Sequence, residues 1–172
     1  MFEQALNSPT ISRVRRNHAL EHATINLLSR RKCYPFLGGY SDVSGFWIIG
    51  DVESDVLKQT VDDALTALAR GEHALAISPN CGTNFAAAGL LAGLAAWLGM
   101  LSGGNGWRRK LERLPLVISL VTLAMMAAKP LGPLLQARVT TLSDPGSMRV
   151  TGVDTFQLGS LKVNRIFTSP GA

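Results

Sequence analysis

The residues best suited to chemistry stand together near the start of the chain: His18-Ala19-Leu20-Glu21-His22, an H-x-x-E-H string. On a helix, His18 and His22 lie four residues apart and project from one face, with Glu21 bordering it. Two imidazole nitrogens at that spacing suit one Zn²⁺. A carboxylate beside them can reach a metal-bound water, the reversed order of the zincin motif. Two of the chain's 3 His fall within these five residues, which favours a site over a merely polar helix face.

A catalytic zinc needs a third protein ligand and an open position. Cys81 is the first choice, because its thiolate is favoured both by a metal and by the amino end of the helix expected after it. His73, Glu72 and Glu53 are the alternative ligands. Asn80 and Asn84 are candidates for oxyanion or substrate-backbone contacts, with turn or cap roles as the plainer alternative. A purely structural zinc would instead close its shell with a fourth ligand, His73 or Cys33.

These side chains need elements to hold them. Residues 12–31 read as a helix with Ser12 as N-cap and Val14, Leu20, Ile25, Leu27 and Leu28 as apolar content. The run Phe46-Trp47-Ile48-Ile49 after Gly38-Gly39 predicts a β-hairpin or strand pair. Residues 54–70 place Val56, Leu57, Val61, Leu65 and Leu68 at helical spacing, with Gly71 as the stop. Residues 74–78 are expected as a strand leading to Cys81. Towards the end, residues 138–141 and 148–167 alternate like short strands, with Asp144-Pro145-Gly146 as a turn.

Between these polar regions, residues 74–107 contain no charged side chain. The stretch 84–102 is long enough to cross a hydrocarbon core of roughly 30 Å. A second apolar run fills residues 114–135, with Pro115 in its first turn and Lys129 able to snorkel. Gly103-Gly104-Asn105-Gly106 is turn chemistry, followed by the interfacial cluster Trp107-Arg108-Arg109-Lys110. Gly89 and Gly93 form a GxxxG that would let another helix approach closely, a route to a homo-oligomer.

Composition agrees. Of 172 residues, 47% are hydrophobic and 17% charged, and the mean hydropathy of +0.18 excludes a disordered chain. Two Cys are too few for a disulfide scaffold. The net charge is +5, yet residues 1–82 carry 8 basic and 9 acidic side chains. The basic excess therefore flanks the apolar middle, which points to lipid head groups and away from nucleic acid.

The expected architecture is α+β: a small mixed domain built from the N- and C-terminal segments and joined to a two-helix transmembrane hairpin. Residues 1–82 form the metal-site region, 83–135 the hairpin (about 84–102 and 114–135), and 136–172 short strands that complete the domain. The basic loop alone would be cytoplasmic under the positive-inside rule, placing residues 1–82 outside. Residues 1–30 hold no apolar h-region to export them. The expectation is a cytoplasmic polar domain.

Residues 18–25 (HALEHATI) and 78–85 (SPNCGTNF) resemble an uncharacterised family of bacterial membrane proteins. They are also similar to the YqhQ-like family of predicted metal-dependent enzymes, whose pattern runs roughly H-x-x-E-H-K-T-I and later C-G-T-x-F. The resemblance covers about 16 residues. It implies a bacterial inner-membrane location and a site of His18, Glu21, His22 and Cys81, with Thr24, Thr83 and Asn84 as neighbours. This chain departs in having Ala23 in place of Lys, and Ser78 where a His can precede the Cys. The expected function is a membrane-embedded zinc-dependent hydrolase, a metallopeptidase acting on a membrane-protein or peptide substrate. The alternative is a non-enzymatic membrane assembly or scaffold protein with a structural metal or none.

Overall fold

The computed structural model describes residues 2–101, 106–159 and 161–170. The chain forms two compact units: residues 1–78 with 137–172, and residues 79–136.

The first unit is a mixed α+β body. A short helix α1 (Phe2–Leu6) precedes α2 (Pro9–Arg31), which opens on Pro9, where a missing N–H costs no hydrogen bond. Next come β1 (Gly38–Asp42), β2 (Gly45–Ile49), α3 (Ser54–Ala69) and a 3-10 turn (His73–Ala76). The unit closes with β3 (Arg149–Leu158) and β4 (Leu161–Ser169). The four strands form one antiparallel sheet in the order β1-β2-β4-β3. N- and C-terminal segments thus share one domain because β4 pairs with β2 along its length, Phe46 opposite Ile166.

The core follows from two periodicities. On α3, Leu57, Val61, Ala64 and Leu68 return to one face every three or four residues and are buried. On β2, Phe46 and Ile48 point inward while Trp47 between them points outward, the strand period of two. Ile166 of β4 and Leu20, Ala23 and Leu28 of α2 complete the cluster. The tight β1–β2 turn depends on Gly45: its φ is +145°, and a Cβ there would sit 2.0 Å from the Ile166 carbonyl oxygen.

Two segments read as strands from sequence are not strands. Residues 74–76 lie in the 3-10 turn and 77–78 follow it, and residues 138–141 fall at a π-helical turn (Gln136–Thr140) and its end. The physical reason is the same in both. Their carbonyls accept hydrogen bonds from polar side chains of α2, so they need no ladder. Asn26 Nδ2 donates to the Leu75 and Ile77 oxygens at 2.9 and 3.0 Å, and His22 Nδ1 to Ala76 at 2.7 Å. His18 Nδ1 donates to Thr140 at 2.9 Å, and Arg15 Nη2 to Arg138 and Thr141, both at 3.1 Å. The Asp144-Pro145-Gly146 turn forms as expected, with the Gly146 N–H on Asp144 Oδ1.

The second unit is a pair of apolar helices, α4 (Gly82–Leu101) and α6 (Leu114–Leu135), with a short amphipathic helix α5 (Trp107–Glu112) between them in sequence. Of the linker expected at residues 103–106, only Gly106 lies within the described residues. The long helices pack antiparallel. A Cβ at Gly99 would lie 2.9 Å from Val117 near one end, and one at Gly132 would lie 2.2 Å from Asn84 Oδ1 near the other. Both helices are long and apolar enough to cross a membrane, and only 11% and 6% of their most apolar stretches are buried. The core helix of a soluble protein would be mostly buried.

Candidate metal centre

His18 and His22 project from adjacent turns of α2, as their spacing predicts, with ring centroids 4.2 Å apart. His22 is buried and His18 half-buried. Each ring presents Nδ1 to a backbone carbonyl, Thr140 for His18 and Ala76 for His22. A carbonyl oxygen only accepts, so Nδ1 carries a proton in both rings and Nε2 is the nitrogen that would turn to a metal. Metal-ligating histidines commonly hold their other ring N–H on a carbonyl in this way.

Glu21 is buried on the same helix. Ser41 of β1 donates its hydroxyl to Glu21 Oε2 at 2.5 Å. The carboxylate lies so close over β1 that a Cβ at Gly39 would fall 2.2 Å from Glu21 Oε1. Gly39 therefore makes room for the acid, and Ser41, one strand period further on, orients it. In the sequence Gly38-Gly39 belongs to the predicted hairpin or strand pair, and nothing there ties it to Glu21.

The wider polar surface of α2 was also not read from sequence. Arg15, His18, His22 and Asn26 are spaced three, four and four apart, so they form one stripe. The lower members hold residues 138–141 and the upper ones residues 75–77. Burial lowers the pKa of the Arg15 guanidinium, whose Nη groups are spent on carbonyls.

In the second unit, Cys81 immediately precedes α4 and is buried; the Thr83 N–H approaches its sulfur at 3.4 Å. That is the position where a helix amino end favours a thiolate. Asn84 donates to the Pro79 carbonyl at 2.8 Å and accepts from Gln136 at 2.6 Å, tying the start of α4 to the end of α6. Asn80 is exposed. Among the alternative ligands, His73, Glu72 and Glu53 are all exposed, and Glu53 stands at the N-cap position of α3.

An α+β body with a paired-histidine helix, followed by two helices long and apolar enough for a bilayer, defines a class: a candidate metal-binding protein with two possible membrane-spanning helices. The chain belongs to the family of the domain of unknown function DUF6391, whose profile matches residues 13–153. That range runs from α2 into β3 and includes the histidine pair, Glu21, Cys81 and both apolar helices. The chain is 36% identical over 141 residues to an uncharacterised protein of a Picosynechococcus species. The match covers 74% of this chain and 65% of the relative, so the chain spans less than two thirds of that protein's length. No solved structure matches the chain.

Proposed function

We propose that the protein is a membrane-anchored zinc-dependent hydrolase, a metallopeptidase in which His18, His22 and Cys81 hold one Zn²⁺ and Glu21 is the general base. The observation that carries this is the pair of Nδ1–carbonyl hydrogen bonds, which make Nε2 the atom that each ring, on consecutive turns of one helix, would offer a metal. Two imidazoles and a thiolate are donors of the kind zinc takes at catalytic sites, and such a set leaves one position open. Chain connectivity supports Cys81 as the third donor. Leu75, Ala76 and Ile77 are fastened to α2, and only two residues, Pro79 and Asn80, lie between Ser78 and Cys81, a reach of about 10 Å.

When bound, zinc supplies Lewis acidity that polarises a substrate carbonyl and acidifies water. The remaining work falls to residues of this chain. Glu21 accepts a proton on its carboxylate and returns it to the leaving amine, while Ser41 fixes one carboxylate oxygen. The likeness of residues 18–25 and 78–85 to the YqhQ-like predicted metal-dependent enzymes points the same way. The hairpin would sit in the bacterial inner membrane with the polar body in the cytoplasm, and the substrate would be a membrane protein or peptide.

A second reading has its own support. The stripe from Arg15 to Asn26 fastens two irregular segments, so the histidines already have a structural use as donors to backbone carbonyls. The protein would then be a membrane assembly or scaffold protein. The two readings part at residues outside the stripe. Under the first, Cys81→Ala depletes zinc measured by elemental analysis of the detergent-purified chain. Glu21→Gln keeps the zinc while cleavage of a membrane-peptide library falls about 10²–10⁴-fold. Under the second, with a structural metal or none, Glu21→Gln alters no functional readout, and where no metal is held Cys81→Ala leaves metal content unchanged. A wild-type protein purified without zinc and unable to take it up would refute the metal site.

A further inference from the structure

The amino end of α2 borders a cavity of about 490 Å³ that neither the metal reading nor the hairpin uses. Arg13 and Arg16 line it, and among the described residues no Asp or Glu does. Neither guanidinium is in an ion pair among the described residues. Each makes a single link to a backbone oxygen: Arg13 Nη2 to Thr168 and Arg16 Nε to Asp144, both at 3.1 Å. Arg13 Nε is buried, with no hydrogen-bond partner among the described residues, so the Nη groups are the ones that could meet a ligand in the cavity.

The helix adds to this charge. Pro9 and Thr10, the first residues of the 23-residue α2, line the same cavity, and Ser8 makes no side-chain cap. Uncapped amides and the positive end of the helix dipole favour an anion there. The rest of the lining is mixed, with polar Ser12, Ser147 and Ser169 beside apolar Val43 and Met148. Such a wall suits an anion carrying an organic group.

We propose that this cavity binds the phosphate group of a phosphoester, with Arg13 and Arg16 as its counter-charges. Planar guanidinium groups match phosphate oxygens in geometry as well as charge. The ligand's source is either a small soluble phosphoester or the head group of an anionic lipid, which share this chemistry. The site does not involve zinc, so its test is run on full-length protein in the presence of a chelator.

Detergent-purified chain is titrated with inorganic phosphate and with glycerol 3-phosphate, and its unfolding midpoint is followed. In parallel, the chain is placed in phosphatidylcholine nanodiscs with and without phosphatidic acid. The expected result is a saturable rise in the midpoint that sodium chloride at equal ionic strength does not give. Arg13→Gln and Arg16→Gln should each weaken the response about tenfold or more, since a hydrogen bond to a charged group is lost. Arg70→Gln, an exposed charge outside the cavity, should leave it unchanged. A response to glycerol 3-phosphate identifies a soluble ligand, and a response confined to phosphatidic acid identifies a lipid. Because Arg13 also anchors Thr168, Arg16→Gln is the decisive variant if Arg13→Gln fails to fold. No response to any of these phosphates, an equal response to chloride, or full binding by the Arg16 variant would overturn the proposal.

Discussion

The two units of this molecule use the same apolar side chains in opposite ways. In the α+β body, Leu20, Phe46, Leu57 and Ile166 are fully buried. In the hairpin, Leu90, Leu98, Ile118 and Met126 are largely exposed, while the buried positions are Ala87, Gly99, Val117, Ala128 and Gly132. A chain folding in water places its large side chains between elements. In lipid a helix pair would gain nothing from that, because lipid tails are as apolar as leucine, and small residues at the contact fit two helices long and apolar enough to cross a membrane. Polar groups divide in the same way. The body uses a row of them on α2 to hold backbone carbonyls, whereas the hairpin closes one end with Asn84 and Gln136.

The largest effect should come from deleting one bulky side chain in each unit. Phe46→Ala removes a fully buried ring from the body and should cost about 3–5 kcal/mol. Leu98→Ala trims a side chain 58% exposed on the hairpin and should change stability by less than about 0.5 kcal/mol in detergent. Denaturant unfolding of both variants makes the comparison. Equal losses would mean that the hairpin's outer face is packed against protein rather than lipid.

A smaller effect separates two kinds of glycine within the hairpin. A Cβ at Gly132 would meet Asn84 Oδ1 at 2.2 Å, so Gly132→Ala must displace the Asn84–Gln136 hydrogen bond. The expected loss is about 1–3 kcal/mol. Gly89 and Gly93 have nothing within 4 Å of such a Cβ in this chain, so alanine there should leave the monomer's stability unchanged. Their GxxxG would matter only to a second copy. Cross-linking in nanodiscs reads this directly: a dimer lost in Gly93→Ala assigns the pattern to self-association, and an unaffected one removes it.

What could be read from sequence divides along the same line. The two apolar helices were legible because length and the absence of charge are local properties. The α3 core face and the inward Phe46 and Ile48 were legible because their periods repeat. His18 and His22 were legible as a pair because four residues bring them to one helix face. Residues 74–78 and 138–141 were misread because their hydrogen bonds run to side chains about 50 and 120 residues away in sequence. Alternating apolar residues carry no sign of such partners. For the same reason Gly39 and Ser41 gave no hint of Glu21, which they contact only after β1 has folded against α2.

The smallest effect tests whether the sheet face holds charge in the way the α2 stripe does. Asp42 accepts from Arg165 Nη2 at 2.8 Å, and the Arg165 guanidinium lies 4.8 Å from the Trp47 ring centre and 5.2 Å from that of Phe167. The hydrogen bond from Arg165 holds the Asp42 carboxyl below its ordinary value, with partial burial opposing it and the Ser44 N–H assisting. A carboxylate depressed in the folded state adds stability that is complete above its unfolded value of about 3.9 and is lost as pH falls through the folded value. Asp42→Asn keeps an oxygen for Arg165 and Ser44 but removes the charge. The Asp42 side chain is 35% exposed, so solvent screening limits the expected loss to about 1 kcal/mol or less near neutral pH. The gap between wild type and variant should stay constant above about pH 5 and close progressively below about pH 4. Denaturant midpoints measured in chelator from pH 7 to pH 2.5 isolate this from any acid release of metal. A gap that persists unchanged at the acid end would show that Asp42 acts through hydrogen bonding alone, and that Arg165 is held by Trp47 and Phe167 rather than by its counter-charge.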